Sequence, residues 1–133
     1  MRVATGRTFQ AKVMSDTASN GTGIYAPANY LALTETATAP ADADTALTGE
    51  LAAASGGLIR AQAAFTYTSG ANTYTLTKTF TMNANDGASR TIQKLGVFNA
   101  ATAGIMVFSS AVPNPPAMVP GDQLAVTETV SLV

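Results

Sequence analysis

The sequence predicts an all-β fold: an antiparallel, jelly-roll-like β-sandwich of about seven or eight strands with a flexible N-terminal arm. Apolar and polar residues alternate with period two, turn-forming residues separate the alternating segments, and helical periodicity is nearly absent. Residues 73–82 are the clearest segment, with Thr at every odd position and Tyr, Leu, Lys, Phe and Met at the even ones. Such a strand places its apolar groups on one face and its hydroxyls on the other.

The other predicted strands follow the same criterion. Residues 58–68 alternate more weakly and are joined to 73–82 by a Ser-Gly-Ala-Asn turn, which predicts a long β-hairpin. A last strand over residues 124–132 follows the Pro-Gly-Asp turn at 120–122. The remaining strand candidates are residues 8–13, 30–34, 91–98 and 105–108, of which the last two form a second hairpin.

Two segments do not fit strands. Residues 112–120 contain four of the six prolines, and because proline cannot donate to a β-ladder we expect an extended connector there. Residues 47–54 are a candidate for a short helix, which Gly56 and Gly57 would end. With one core expected for 133 residues, we divide the chain into an N-terminal arm with a first short strand, 1–27, and one β-sandwich domain, 28–133.

Composition excludes many kinds of chemistry. The chain has no His and no Cys, so a Ser-His-Asp triad, a thiol nucleophile, a disulfide framework and a structural zinc site are impossible. Charged residues make up only 11% of the chain, whereas Ala and Thr number 26 and 20. Low charge removes one means of keeping monomers apart, which favours a protein that works within an assembly.

The same composition argues against several partners. A net charge of −1 without a basic stripe argues against nucleic acid, and no segment has the apolar length of a membrane span or a targeting signal. No glycine-rich segment has the context of a phosphate-binding loop, so no cofactor is expected. We therefore expect no enzyme activity and assign no catalytic, cofactor-binding or metal-ligating residue.

Two pairs of charged residues are candidate sites. Asp42 and Asp44 are too few for a calcium loop and are interpreted as turn-forming residues. Lys78 and Glu128 each interrupt the apolar face of a regular strand, which predicts a structural ion pair if the strands meet. Side chains that reach an edge, or a face that meets a partner subunit, would explain the same pattern.

Five segments, in their order and spacing along the chain, resemble the sequences of small virion structural proteins of tailed bacteriophages. Residues 45–50 read T-x-L-x-x-E and residues 96–100 read Gly-Val-Phe-Asn-Ala, similar to the N-terminal attachment domains of phage tail-collar fibres. The segments are residues 30–34, 37–50, 73–82, 92–100 and 121–127, and the resemblance covers residues 28–133.

The resemblance implies a non-enzymatic virion component, assembled in the host cytoplasm. The expected role is a capsid decoration (cement) protein, a homotrimer bound to the major capsid protein on the outer surface of the head. The candidate contacts are Arg2, Arg7, Phe9, Lys12, Pro113, Pro115 and Pro116.

Two other binding roles are possible. One is a tail, collar or baseplate fibre-attachment module, and the other is a carbohydrate-binding β-sandwich. Sugar recognition needs exposed aromatic groups, but the strand patterns assign Tyr67 and Tyr74 to the core.

Overall fold

Short antiparallel strands make up the regular structure of the chain. The computed structural model describes Met1, residues 26–84 and residues 88–131, and within them it contains nine strands and no helix, hence no helix that could cross a membrane. The strands are β1 (Tyr30–Thr34), β2 (Ala61–Gln62), β3 (Ala64–Tyr67), β4 (Thr73–Thr81), β5 (Arg90–Thr91), β6 (Lys94–Phe98), β7 (Met106–Ala111), β8 (Ala117–Met118) and β9 (Gln123–Ser131).

The strands pair into three antiparallel sheets. A four-stranded sheet has the order β2-β1-β6-β7, a three-stranded sheet has the order β3-β4-β9, and β5 pairs with β8 alone. The predicted all-β, antiparallel sandwich is thus confirmed. The described residues hold nine strands instead of about seven or eight. Residues 117–118, within the proline-rich connector, pair briefly with residues 90–91, and residues 61–62 and 64–67 are two separate strands. The jelly-roll connectivity stays a prediction.

The main core lies between the two larger sheets. Leu76 and Phe80 of β4 pack with Leu31 and Leu33 of β1 and with Val97 of β6. The threonines of β4 point to the opposite face, where Thr79 and Thr81 are exposed. The period-two pattern therefore identified the correct inner face of β4.

The four-stranded sheet is also covered on its other face. Leu47 packs with Ala32, Phe98 and Met106 in a second buried cluster. The Thr34 hydroxyl contacts the carbonyl oxygens of Thr48 (2.8 Å) and Gly49 (2.9 Å). Residues 47–51 are thus held against β1 in extended and turn conformations, so the helical option over residues 47–54 is wrong.

The predicted long hairpin is divided between the two sheets. Ala61 pairs with Leu31 in the four-stranded sheet, whereas Ala64–Tyr67 pairs with β4 in the three-stranded sheet. The second predicted hairpin is confirmed as β6 and β7, and the last strand as β9. The chain crosses from one sheet to the other at Ala63, whose N–H donates to the carbonyl of Asn29 (2.8 Å).

The first residue of the chain lies beside β7. The Met1 ammonium donates to the carbonyl oxygen of Ser109 (2.7 Å), and the Ser109 N–H donates to the Met1 carbonyl. The predicted strand at residues 8–13 lies outside the described residues. The boundary between 1–27 and 28–133, and the flexibility of the arm, stay predictions.

Candidate interaction surfaces

The described residues hold no group of three or more acidic, His or Cys side chains able to hold a metal ion. The Asp44 carboxylate instead accepts a hydrogen bond from the Ala41 N–H (3.0 Å). This closes the turn that the sequence assigned to Asp42 and Asp44. The charged and aromatic groups on the surface are the candidates for contacts with other molecules.

The Arg60 guanidinium makes four hydrogen bonds and contacts an aromatic ring. Its Nε and Nη2 donate to the two carboxylate oxygens of Glu50 at 2.8 and 2.6 Å, and its Nη1 donates to the carbonyls of Ala100 (3.0 Å) and Ala103 (2.6 Å). The guanidinium carbon lies 3.5 Å from the centre of the Phe98 ring. Only 8% of the Arg60 side chain is exposed.

These bonds attach the β6–β7 loop to Glu50, which lies beside β1. Glu50 forms a bridge to Thr34 of β1, and Ala103 has a positive φ of 52°. Positive φ is unfavourable for alanine, so the loop conformation needs external support. Arg60 supplies that support, and we assign it a structural role.

A second ion pair connects β1 with β5. Nη1 of Arg90 donates to Oε2 of Glu35 at 2.7 Å, while Oε1 of Glu35 accepts from the Thr91 N–H at 2.9 Å. Both side chains are partly exposed. This pair anchors the strand that precedes the buried Ile92, and it too is structural.

Lys78 and Glu128 lie on adjacent strands, as the sequence analysis required, but they do not meet as an ion pair. The register places Lys78 opposite Val126 and Glu128 opposite Leu76. The Glu128 carboxylate accepts a hydrogen bond from the Ser110 hydroxyl (2.8 Å), which links the edge strands β9 and β7. Arg60 and Arg90 do form ion pairs, with Glu50 and Glu35.

Replacing Lys78 with methionine should therefore cost little. We expect the free energy of unfolding to change by about 1 kcal/mol or less, in either direction, because the substitution keeps the length of a half-buried side chain that pairs with no carboxylate among residues 26–84 and 88–131. Urea denaturation measures this, with Glu128→Gln as the control that retains an acceptor for Ser110. A loss above about 2 kcal/mol for Lys78→Met would show that the ammonium is required.

The proline-rich connector is exposed yet fixed at both ends. The Val112 N–H donates to the Gln93 carbonyl (2.9 Å), and the Ile92 N–H donates to the Pro116 carbonyl (3.1 Å). Pro113 and Pro115 are exposed between these anchors, and Pro116 is half-buried. The segment is thus a preorganised projection, and its assignment to a contact with another virion protein stays a prediction.

The other candidate contacts, Arg2, Arg7, Phe9 and Lys12, lie outside the described residues. The expected homotrimer and the expected partnership with the major capsid protein stay predictions as well.

The end of the β3–β4 hairpin carries exposed aromatic groups. Phe65 and Tyr67 are 59% and 46% exposed, and the Phe65 ring lies 5.3 Å from that of the half-buried Tyr74. We call these three residues the aromatic shelf. Phe65 and Tyr74, with residues 27–29, line an open groove of about 440 Å³.

The aromatic shelf corrects the expectation that Tyr67 belongs to the core. Tyr67 has the correct parity for the inner face, but β1 begins only at Tyr30, and the part of the chain that the structure describes leaves the inner face of the hairpin end exposed. Parity along one strand reveals which face a residue occupies. It does not reveal how far the opposite sheet extends, and no signal in the sequence supplies that length.

The comparison with protein families gives a match along most of the chain. The family model described as podophage GP4 fiber I protein gp80 matches residues 7–132. No curated protein matches the chain. The match agrees with the resemblance to phage virion structural proteins, whereas the capsid decoration type is not specifically supported. Because the family model matches nearly the whole chain, this all-β protein belongs to the podophage GP4 fiber I protein gp80 family.

Proposed function

We propose that this chain is a structural, non-enzymatic subunit of a virion fibre, and that its β-sandwich attaches the fibre to neighbouring virion proteins. The observation that carries the proposal is the family match over residues 7–132 to a fibre protein. The attachment role corresponds to the tail, collar or baseplate alternative of the sequence analysis. The proposed role is mechanical. It depends on the surface area buried at contacts between subunits and on how well the contacting surfaces fit each other.

The geometry supports a role in contacts. The exposed prolines 113 and 115 lie on a segment that backbone hydrogen bonds hold at both ends. A segment that is already ordered loses little conformational entropy when it docks, so more of its contact energy remains as affinity. The Arg60 and Arg90 ion pairs similarly keep the loops of the sandwich in one arrangement.

The capsid decoration role uses the same kind of contact at a different place. A decoration protein would cover the outer surface of the head at junctions of the major capsid protein and stabilise it against the packaged DNA. The description of the matching family favours the fibre over this role. The two proposals differ in position and in copy number, which makes them separable.

Labelling of intact virions tests the fibre proposal. We expect gold-labelled antibodies against this chain to bind at one site on each particle, and quantitative mass spectrometry to find tens of copies or fewer, because a fibre is attached at few positions. Antibodies against the major capsid protein are the control for accessibility of the head. A uniform label over the head with hundreds of copies would contradict the fibre role and support decoration.

A further inference from the structure

The open groove beside the aromatic shelf brings together two parts of the chain. Residues 27–29, which precede β1, line it together with Phe65 and Tyr74 of the β3–β4 hairpin. The Ala63 N–H donates to the Asn29 carbonyl (2.8 Å), so a backbone hydrogen bond joins the two parts. The folded chain therefore forms the groove before any ligand binds.

The lining that the structure describes is aromatic, largely apolar and uncharged. Besides the two rings it consists of a proline, an alanine and an asparagine, and residues 61–77 include no charged side chain. The Phe65 ring is 59% exposed and lies at 45° to the Tyr74 ring, so two ring faces meet at an angle. An ionic ligand would lose its hydration there without gaining a partner of opposite charge. The groove therefore suits a neutral ligand.

We propose that this groove binds a neutral, proline-rich segment of a neighbouring virion protein in the polyproline II conformation. Grooves lined by aromatic side chains are one of the general ways in which proteins recognise such segments. Proline rings pack against Phe65 and Tyr74, and the side-chain amide of Asn29 donates to a carbonyl of the segment. The polyproline II helix has no internal hydrogen bonds, so its carbonyls are available as acceptors. The proposal deepens the proposed function, on which the assignment of the partner to the virion rests.

The energetics of such a contact are favourable on both sides. A proline-rich segment is extended before it binds, so it loses little conformational entropy when it docks. The exposed rings of Phe65 and Tyr67 are removed from water where the segment covers them. Apolar burial therefore supplies the affinity, and the Asn29 amide fixes the direction of the bound segment.

The proline-rich connector of this chain does not have the required conformation. Asn114, between the exposed Pro113 and Pro115, has a φ of 53°, whereas polyproline II needs about −75°. The Pro116 carbonyl already accepts a hydrogen bond from the Ile92 N–H (3.1 Å). We therefore assign the occupant of the groove to a different protein and not to a second copy of this connector.

A saccharide fits the same groove less well. The lining side chains offer one amide, that of Asn29, and one hydroxyl, that of Tyr74. Saccharide sites normally add several convergent polar groups to their aromatic platform. Proline has no backbone N–H and a single carbonyl acceptor, so a proline-rich segment needs far fewer polar partners than a sugar does.

Titration with a capped hexaproline peptide tests the groove. We expect saturable changes in the NMR signals of residues 27–29, Phe65 and Tyr74, and Phe65→Ala should weaken binding by about tenfold or more because it removes a packed ring. Thr66→Ala is the matched control, since Thr66 is exposed on the other face of the same strand, and it should leave the affinity unchanged. Phe65 is mostly exposed, so both variants should unfold at the temperature of the unchanged chain.

Two further probes decide what the groove recognises. A capped glycine-serine hexapeptide and the neutral saccharide maltohexaose should leave the same NMR signals unchanged. An absent or unsaturable response to hexaproline overturns the proposal, and so does an equal response to the glycine-serine peptide. Saturable binding of maltohexaose without binding of hexaproline overturns it in favour of a saccharide site.

Photo-crosslinking in intact virions tests the source of the segment. With p-benzoylphenylalanine in place of Phe65, we expect a crosslink to a proline-rich segment of another virion protein, identified by mass spectrometry and stronger than the crosslink from the same group at position 66. A crosslink to a second copy of this chain or to a segment without proline overturns the proposal, as does a yield no higher than at position 66. A proline-rich partner in the head would retain the groove and contradict the fibre role, so the two proposals fail separately.

Discussion

Replacing Arg60 with alanine is expected to lower the free energy of unfolding by about 3 kcal/mol. The substitution leaves the Glu50 carboxylate, which is only partly exposed, without its bidentate partner. It also frees the carbonyls of Ala100 and Ala103 and uncovers the Phe98 ring. Several groups that are paired in the folded chain thus lose their partner at once.

Urea denaturation measures this loss, and hydrogen exchange shows where it acts. We expect faster exchange in residues 99–105, because Arg60 holds that loop to Glu50. Arg90→Ala is the matched control: its ion pair with Glu35 is more exposed, so its loss should cost about 1 kcal/mol. Equal losses for the two arginines would contradict the central role of Arg60.

Leu76→Ala is expected to cost about 3 kcal/mol, whereas Phe65→Ala should cost about 1 kcal/mol or less. The two residues face each other across the β3–β4 pair on the same side of the sheet. Leu76 is completely buried between the two sheets, while Phe65 is 59% exposed. The difference therefore measures how far the four-stranded sheet covers the hairpin.

The comparison is made by urea denaturation at low protein concentration, so that contacts between copies do not contribute. Leu76→Val is a useful intermediate, since a smaller cavity should give a smaller loss. If Phe65→Ala destabilised the isolated chain as much as Leu76→Ala, the hairpin end would be covered in solution, and the aromatic shelf would be part of the core.

Much of the fold could be predicted because it depends on local patterns. The alternation in residues 73–82 gave both the strand and its inner face, and the turn at 120–122 placed the start of β9. Tyr30–Thr34 was also predicted, although its burial on both faces was not. These features follow from backbone geometry, in which successive side chains point to opposite faces.

The charged contacts could not be predicted in the same way. Lys78 and Glu128 were paired on the argument that interior charges need partners, yet Glu128 bonds to Ser110 of β7. Arg60 and Glu50, the pair with the best geometry, are ten residues apart in segments without a clear pattern. Which charges meet depends on how segments distant in sequence are placed side by side, and one sequence does not contain that information.

Composition and period-two alternation act locally along the chain, so they are enough to predict an all-β sandwich without His or Cys chemistry. The division of residues 61–67 between two sheets, and the exposure of the end of the β3–β4 hairpin among the described residues, are visible only in the folded chain. The extent of one sheet over another is set by packing between distant segments. That overlap is what leaves Phe65 and Tyr67 exposed on a strand whose parity would bury them.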